Sequence, residues 1–279
     1  MISVGRYSVD VVETCRFGLD GGAMFGVVPK TLWERVYTKA DEKNRIPMAA
    51  KALLLRSDEQ TILVDTGNSP LMSPKLQEIY GIDFSQYTLQ GSLNALGVQP
   101  SDVTDVILTH LHFDHSGGAM SADGPTFPNA MYYVQREHYK WALNPTEKDR
   151  ASFMPEFYQP IVDAGKMEFL DGADELFPDV YVDLVHGHTR ALQTVRVVDG
   201  DACVFYPADL MPTGAHIGIP YGMGYDNFPL TTMEEKKVIV PQAIAEKWIV
   251  VFEHDALRQA AIIEQGERGP VLGSDIVIT

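Results

Sequence analysis

At 279 residues, 45% of them apolar, the chain is long enough to bury a sizeable core and too apolar to be disordered. Its 38 acidic and 22 basic side chains leave a formal net charge of -16. Such a surface repels phosphate backbones and anionic headgroups, which argues against nucleic-acid and membrane partners. Only Cys15 and Cys203 occur, in strand-like apolar surroundings, too few for a disulfide framework. No basic-then-apolar leader and no apolar run of membrane-spanning length is present, so the expected location is cytoplasmic.

In chain order, residues 6–16 read as a strand running into the glycine break GLDGGAMFGVVPK, with a helical or irregular stretch from Pro29 to Arg45. Residues 49–57 and 60–65 form two strands about the polar turn Ser57-Asp58-Glu59. Helical patterns follow near 73–80 and 85–96, the second closed by Gly97. A short buried strand, Val106 to Thr109, comes next. Then come a strand at 131–135, a helix from Arg136 and a helix between about Ala151 and Ala164. Strands are expected at 167–170, 180–185, 192–198 and 202–206, then a helix from Thr232 to Lys247, a strand from Trp248 to Phe252, and strands around Gly266 to Gly269. Both halves run strands first and helices after, which suggests an α/β fold of two sheets between outer helices in a single domain spanning 1–279.

The stretch ILTHLHFDHSGG (107–118) concentrates three of the eight histidines and an aspartate just past a buried strand. His110 and His112, two positions apart in extended chain, face the same way. Asp114 and His115 follow where the chain turns, and Gly117-Gly118 permit close backbone approach. Imidazole and carboxylate are ordinary ligands of zinc, iron and manganese, and four in six residues exceed the needs of one open metal site. His138, His186, His188, His216 and His254 are the remaining histidines. His188 in LVHGHT, Asp209 after ACVFYPAD and His254 after WIVVFEH each end an apolar strand, which is how a rigid sheet preorganises a site. His138 and His186 are expected to be structural.

These residues, with the upstream ILVDTG (62–67), resemble the metallo-β-lactamase fold superfamily over nearly the whole chain. The resemblance implies a four-layer αββα sandwich with a dinuclear site at one sheet edge. It places His110, His112 and His188 on one divalent ion, and Asp114, His115 and His254 on a second. Asp209 bridges both with a hydroxide, and Asp65 orients the ligand loop from behind. Zinc is the expected metal, with manganese, iron and cobalt as others the donor set takes. Asp at 209 rather than Cys points away from the zinc β-lactamases, and His at 112 rather than Glu from the flavodiiron branch. After His188 many relatives continue Thr-Pro-Gly where this chain has Thr189-Arg190-Ala191.

In layout the chain is most similar to the N-acyl homoserine lactonase and organophosphate hydrolase branch. That implies hydrolysis of a lactone or related ester with phosphotriesterase side activity, Asp114 and Asp209 acting on the nucleophile and leaving group. An excursion at about 21–45 would reach over the site and offer Met24, Phe25 and Trp33 as an apolar wall. Several lactonases carry a Tyr three residues after the bridging Asp; Pro212 stands there, which passes the role to His216, Tyr221 or Tyr225. A homodimer suits the branch. The alternatives are a glyoxalase II-like thioesterase, for which the tail offers few basic residues, and a non-hydrolytic metal-binding or redox protein.

Overall fold

The computed structural model describes residues 2–278. In the first half Ile2–Val4 (β1), Tyr7–Asp20 (β2), Arg45–Arg56 (β3), Thr61–Val64 (β4) and Asp105–Ile107 (β5) are strands. A small ribbon pairs Met120–Ser121 (β6) with Gly124–Pro125 (β7), and Met131–Gln135 (β8) and Met167–Leu170 (β9) complete the half. Its helices are Gly21–Phe25 (α1), Lys30–Val36 (α2), Pro74–Ile79 (α3), Leu89–Ala95 (α4), Phe113–Ser116 (α5), Arg136–Leu143 (α6) and Gln159–Asp163 (α7). The second half carries Asp174–Phe177 (β10), Val180–Val185 (β11), Leu192–Asp199 (β12), Ala202–Tyr206 (β13), Pro229–Ala245 (α8), Ile249–Val251 (β14), Ala260–Gly266 (β15) and Gly269–Ile276 (β16).

The strands form two seven-stranded sheets, ordered β1-β2-β3-β4-β5-β8-β9 and β10-β11-β12-β13-β14-β15-β16. β4, β5, β8 and β9 run parallel, so each crossing between them needs a long connection, and the helices supply it. In β3 alternate residues part company. Leu53 and Leu55 join Val195, Val197 and Phe252 between the sheets. Ala52 and Leu54 face outward onto Leu93, Tyr158 and Ile161 under the helices. That two-residue period explains the run AAKALLL, buried on both faces. On the far side Val240 and Ala243 of α8 join the same core as the second sheet. The layers are therefore helix, sheet, sheet, helix, as expected.

Two hydrogen-bonded seams join the sheets at one end. In the first, Ala49 N donates to His254 O at 3.2 Å, and Lys51 Nζ donates to the carbonyls of Phe252, Asp255 and Arg258 at 3.2, 2.5 and 2.6 Å. In the second, Gln193 N donates to Thr109 O and Gln193 Nε2 to Leu108 O, both at 2.9 Å.

Two expectations differ in detail. The helix expected between about Ala151 and Ala164 is split into 3-10 turns at 150–152 and 155–157 and the short α7, because Pro155 and Pro160 interrupt the backbone ladder. β10 was not expected, since the run DELF has no apolar alternation. The strands expected around Gly266 to Gly269 are β15 and β16, a long hairpin that turns there. Among the described residues no helix is long and apolar enough to cross a membrane.

Candidate metal centre

The ligand loop is anchored from below by the end of β4. Asp65, in the left-handed region at φ 61°, accepts from Thr109 N at 2.8 Å and Thr109 Oγ1 at 2.7 Å, and its Oδ2 lies 3.1 Å from His115 Nδ1. Thr66 N and Oγ1 donate to His115 O at 2.7 and 2.8 Å. A Cβ on Gly118 would sit 2.2 Å from Thr66 O, so the two turns can approach this closely only with glycine there.

Six of the seven proposed ligands lie in two clusters sharing Asp209, namely His110, His112 and His188 on one side, and His115 and His254 on the other, where the Glu253 carboxylate joins them. His112 Nδ1 is 3.0 Å from His110 Nε2 and 3.2 Å from His188 Nε2, which itself lies 3.1 Å from Asp209 Oδ2. His254 Nε2 is 3.2 Å from both His115 Nε2 and Asp209 Oδ1. Asp114 joins the second cluster more loosely, 3.6 Å from His254 Nε2 and 3.8 Å from His115 Nε2.

The outward ring nitrogens are held too. His110 Nδ1 meets Thr109 Oγ1, His188 Nδ1 meets Asp226 Oδ1, and His254 Nδ1 donates to Ala49 O, at 3.1, 3.1 and 3.0 Å. Partners of this kind fix ring orientation and raise ligand basicity.

The donor set fits a divalent cation. Imidazole nitrogens converge at hydrogen-bond distance although neutral rings carry one N–H each, and Asp209 Oδ1, between the clusters, is buried without a hydrogen-bond partner. Burial and the neighbouring imidazoles hold His110 and His112 well below the ordinary value, in the neutral form that ligates. In the second cluster burial opposes charge on His254, but Asp209, Glu253 and Asp114 outweigh it and push it to about 9. That half of the site attracts positive charge.

Four supporting residues escaped the sequence reading, and His138, expected to be structural, joins them. Glu253 Oε1 lies 3.1 Å from His115 Nδ1, and burial raises its carboxyl to about 7 against the pull of His115. The signal was a lone carboxylate in an apolar run. Asp226 backs His188, Tyr206 donates to Lys51 O at 2.8 Å, and Lys51 ties down the chain around His254. His138 is fully buried and spans two ligand loops. It accepts from Leu111 N through Nε2 and donates from Nδ1 to Arg190 O, both at 2.8 Å. The departure after His188 closes through Ala191 at φ 54°.

A cavity opens over the clusters. Its floor includes His112, Asp114, His188, Asp209 and His254; Leu19, Met24, Tyr80, Phe113, Met223 and Tyr225 form an apolar wall, and Lys148, Asp149 and Ser152 a polar one. Of the six expected substrate contacts, Met24 and Tyr225 line it. Phe25, Trp33, His216 and Tyr221 stand behind the wall. Phe25 stacks on Trp33 and on His216 at 5.4 and 4.7 Å between centroids, Tyr221 meets it edge-on, and His216 Nε2 donates to Met24 O at 2.8 Å.

Two layers of sheet, outer helices and a histidine–aspartate cluster at the sheet ends define a metallo-hydrolase architecture. Residues 45–254 match the family model for the metallo-β-lactamase superfamily, and the chain belongs to that superfamily. It is 27% identical over 222 residues to an N-acyl homoserine lactonase of Bacillus thuringiensis, covering 72% of this chain and 79% of the relative. Among solved structures, a probable metal-dependent hydrolase from Staphylococcus aureus aligns with a TM-score of 0.90 at 24% identity, over 99% of this chain and 98% of the other. AidC, a dizinc quorum-quenching lactonase solved with a product, aligns at 0.82 and 19% identity over 100% and 97%.

Proposed function

We propose that the chain is a dinuclear metal-dependent hydrolase that opens lactones or cleaves related esters. In this reading His110, His112 and His188 hold one divalent ion, Asp114, His115 and His254 the other, and Asp209 both. The observation that carries it is the Asp209 carboxylate between two histidine clusters on the floor of a partly apolar cavity. The lactonase relatives support the substrate class. Zinc is the expected occupant, and turnover of phosphotriesters is the expected side activity.

When bound, such ions supply an acidified water and polarise an acyl oxygen. The protein's own groups do the rest. Asp209 fixes the spacing of the two clusters. Asp114, on the cavity side of the second cluster, accepts the proton that the attacking water loses and delivers it to the alkoxide oxygen that leaves the acyl carbon. The Tyr225 phenol, protonated at neutral pH and pushed further up by burial, lines the cavity and serves as a donor to the substrate. Leu19, Met24, Phe113 and Met223 hold an acyl chain and exclude water beside the reacting bond.

Metal analysis of the purified chain should find about two divalent ions. Lactones, aryl esters, phosphotriesters and thioesters, offered to zinc-, manganese- and cobalt-loaded protein, should give fastest turnover on lactones. One ion or none in folded protein, or thioesters hydrolysed in preference to lactones, would overturn the reading.

A further inference from the structure

Glu253 ends the run Trp248-Ile249-Val250-Val251-Phe252 and is fully buried. Its Oε1 lies 3.1 Å from His115 Nδ1, yet neither oxygen receives a well-formed hydrogen bond. His115 Nε2 faces the other way, 3.2 Å from His254 Nε2 and 3.6 Å from Asp209 Oδ2. The lone pairs of the two ring nitrogens diverge, so an ion on Nε2 lies across the imidazole from Glu253. Glu253 therefore sits near the cluster without being a ligand beside Nε2.

Asp65 Oδ2 approaches the same Nδ1 at 3.1 Å, but Asp65 also accepts two hydrogen bonds from Thr109, the residue before His110. Its influence reaches both clusters. Among the proposed ligand histidines Glu253 lies close to His115 and His254, both of the second cluster, and to none of the first. A carboxylate behind a ligating imidazole fixes the ring and raises its basicity. A buried carboxylate short of donors also opposes folding unless a cation lies near. These two effects have opposite signs in the ion-free and ion-loaded protein.

We infer that Glu253 is a positioning residue for His115 that strengthens the binding of the second ion and leaves the first unchanged. The inference rests on the two-ion reading above. It is tested in the full-length chain with Glu253→Gln and Glu253→Asp, by zinc titration against a chromogenic chelator, by the visible spectrum during cobalt titration, and by thermal unfolding with and without zinc. For Glu253→Gln, one ion should bind as in the wild type and the other about 10- to 100-fold more weakly. The ion-free variant should unfold at the same temperature as the wild type or higher, and Glu253→Asp, which keeps the charge, should recover part of the affinity. Equal weakening of both ions with a less stable ion-free protein would mark an ordinary packing role and overturn the inference, as would unchanged affinity for the second ion. Wild-type protein that binds a single ion would instead remove the two-ion reading itself.

Discussion

His216 offers a test of how the cavity wall is built, because its ring is neutral by location. It is 1% exposed, stacked on Phe25, with Nδ1 2.7 Å from Thr213 Oγ1 and Nε2 donating to Met24 O. Burial lowers its pKa from 6.5 to about 4, despite the carbonyl of Met24 favouring charge. In the unfolded chain the same imidazole takes a proton as pH falls through 6.5, whereas the folded chain takes it only near 4. Stability contributed by the neutral ring is thus full above pH 6.5 and lost as pH falls to about 4. A drop from 6.5 to about 4 is worth about 3.5 kcal/mol in full at roughly 1.4 kcal/mol per pH unit, of which about 3 is lost between pH 7 and pH 4. The comparison is His216→Gln, whose amide can donate to Met24 O and accept from Thr213 without titrating. Urea unfolding of both proteins at pH 7, 6, 5 and 4 gives the difference, in which other titrating groups cancel. The wild type should lose about 3 kcal/mol more than the variant across that range. Parallel curves would refute the reasoning.

Asp209→Asn and His188→Ala should bring turnover to background, and His188→Ala should lose one ion by metal analysis; retained activity in either would break the proposed first cluster. His138→Ala leaves Leu111 N and Arg190 O unpaired in the interior. Two such groups at about 1–3 kcal/mol each should show in urea unfolding as a loss of several kcal/mol, with His138→Gln less damaging. Gly118→Ala drives a Cβ against Thr66 O, so the midpoint of thermal unfolding should fall, by a penalty of about 1–3 kcal/mol or more.

The candidate metal-binding pattern was legible because its residues fall at strand ends, where an apolar run stops abruptly before His110, His188, Asp209 and His254. What surrounds those residues was harder to see. Glu253 and Asp226 gain meaning only from the ring nitrogen each one faces, and no local period marks such a pairing. The aromatic and histidine side chains expected to touch substrate proved a similar case. Phe25, Trp33 and His216 carry the right chemistry for a pocket, but stacking turned them into the wall's backing and left Met24 in front. Lys51 and Lys236, basic yet fully buried, look like surface residues in the sequence. Each instead binds carbonyls of loops distant along the chain, with Lys236 holding Gly218 O and Tyr221 O. The break at Pro155 and Pro160 was visible in principle, since proline removes the ladder donor.

The seams between the sheets give the chain a built-in reporter. Ala49 N and Gln193 N donate across the interface, to His254 O and Thr109 O, instead of to a neighbouring strand. Their exchange with solvent deuterium therefore requires the two sheets to part, whereas fraying within either sheet leaves them covered. Both acceptors lie at or beside a histidine of the candidate metal centre. Docking of one half onto the other and the spacing of the histidines are thus one equilibrium, and the protection of these two amides measures it.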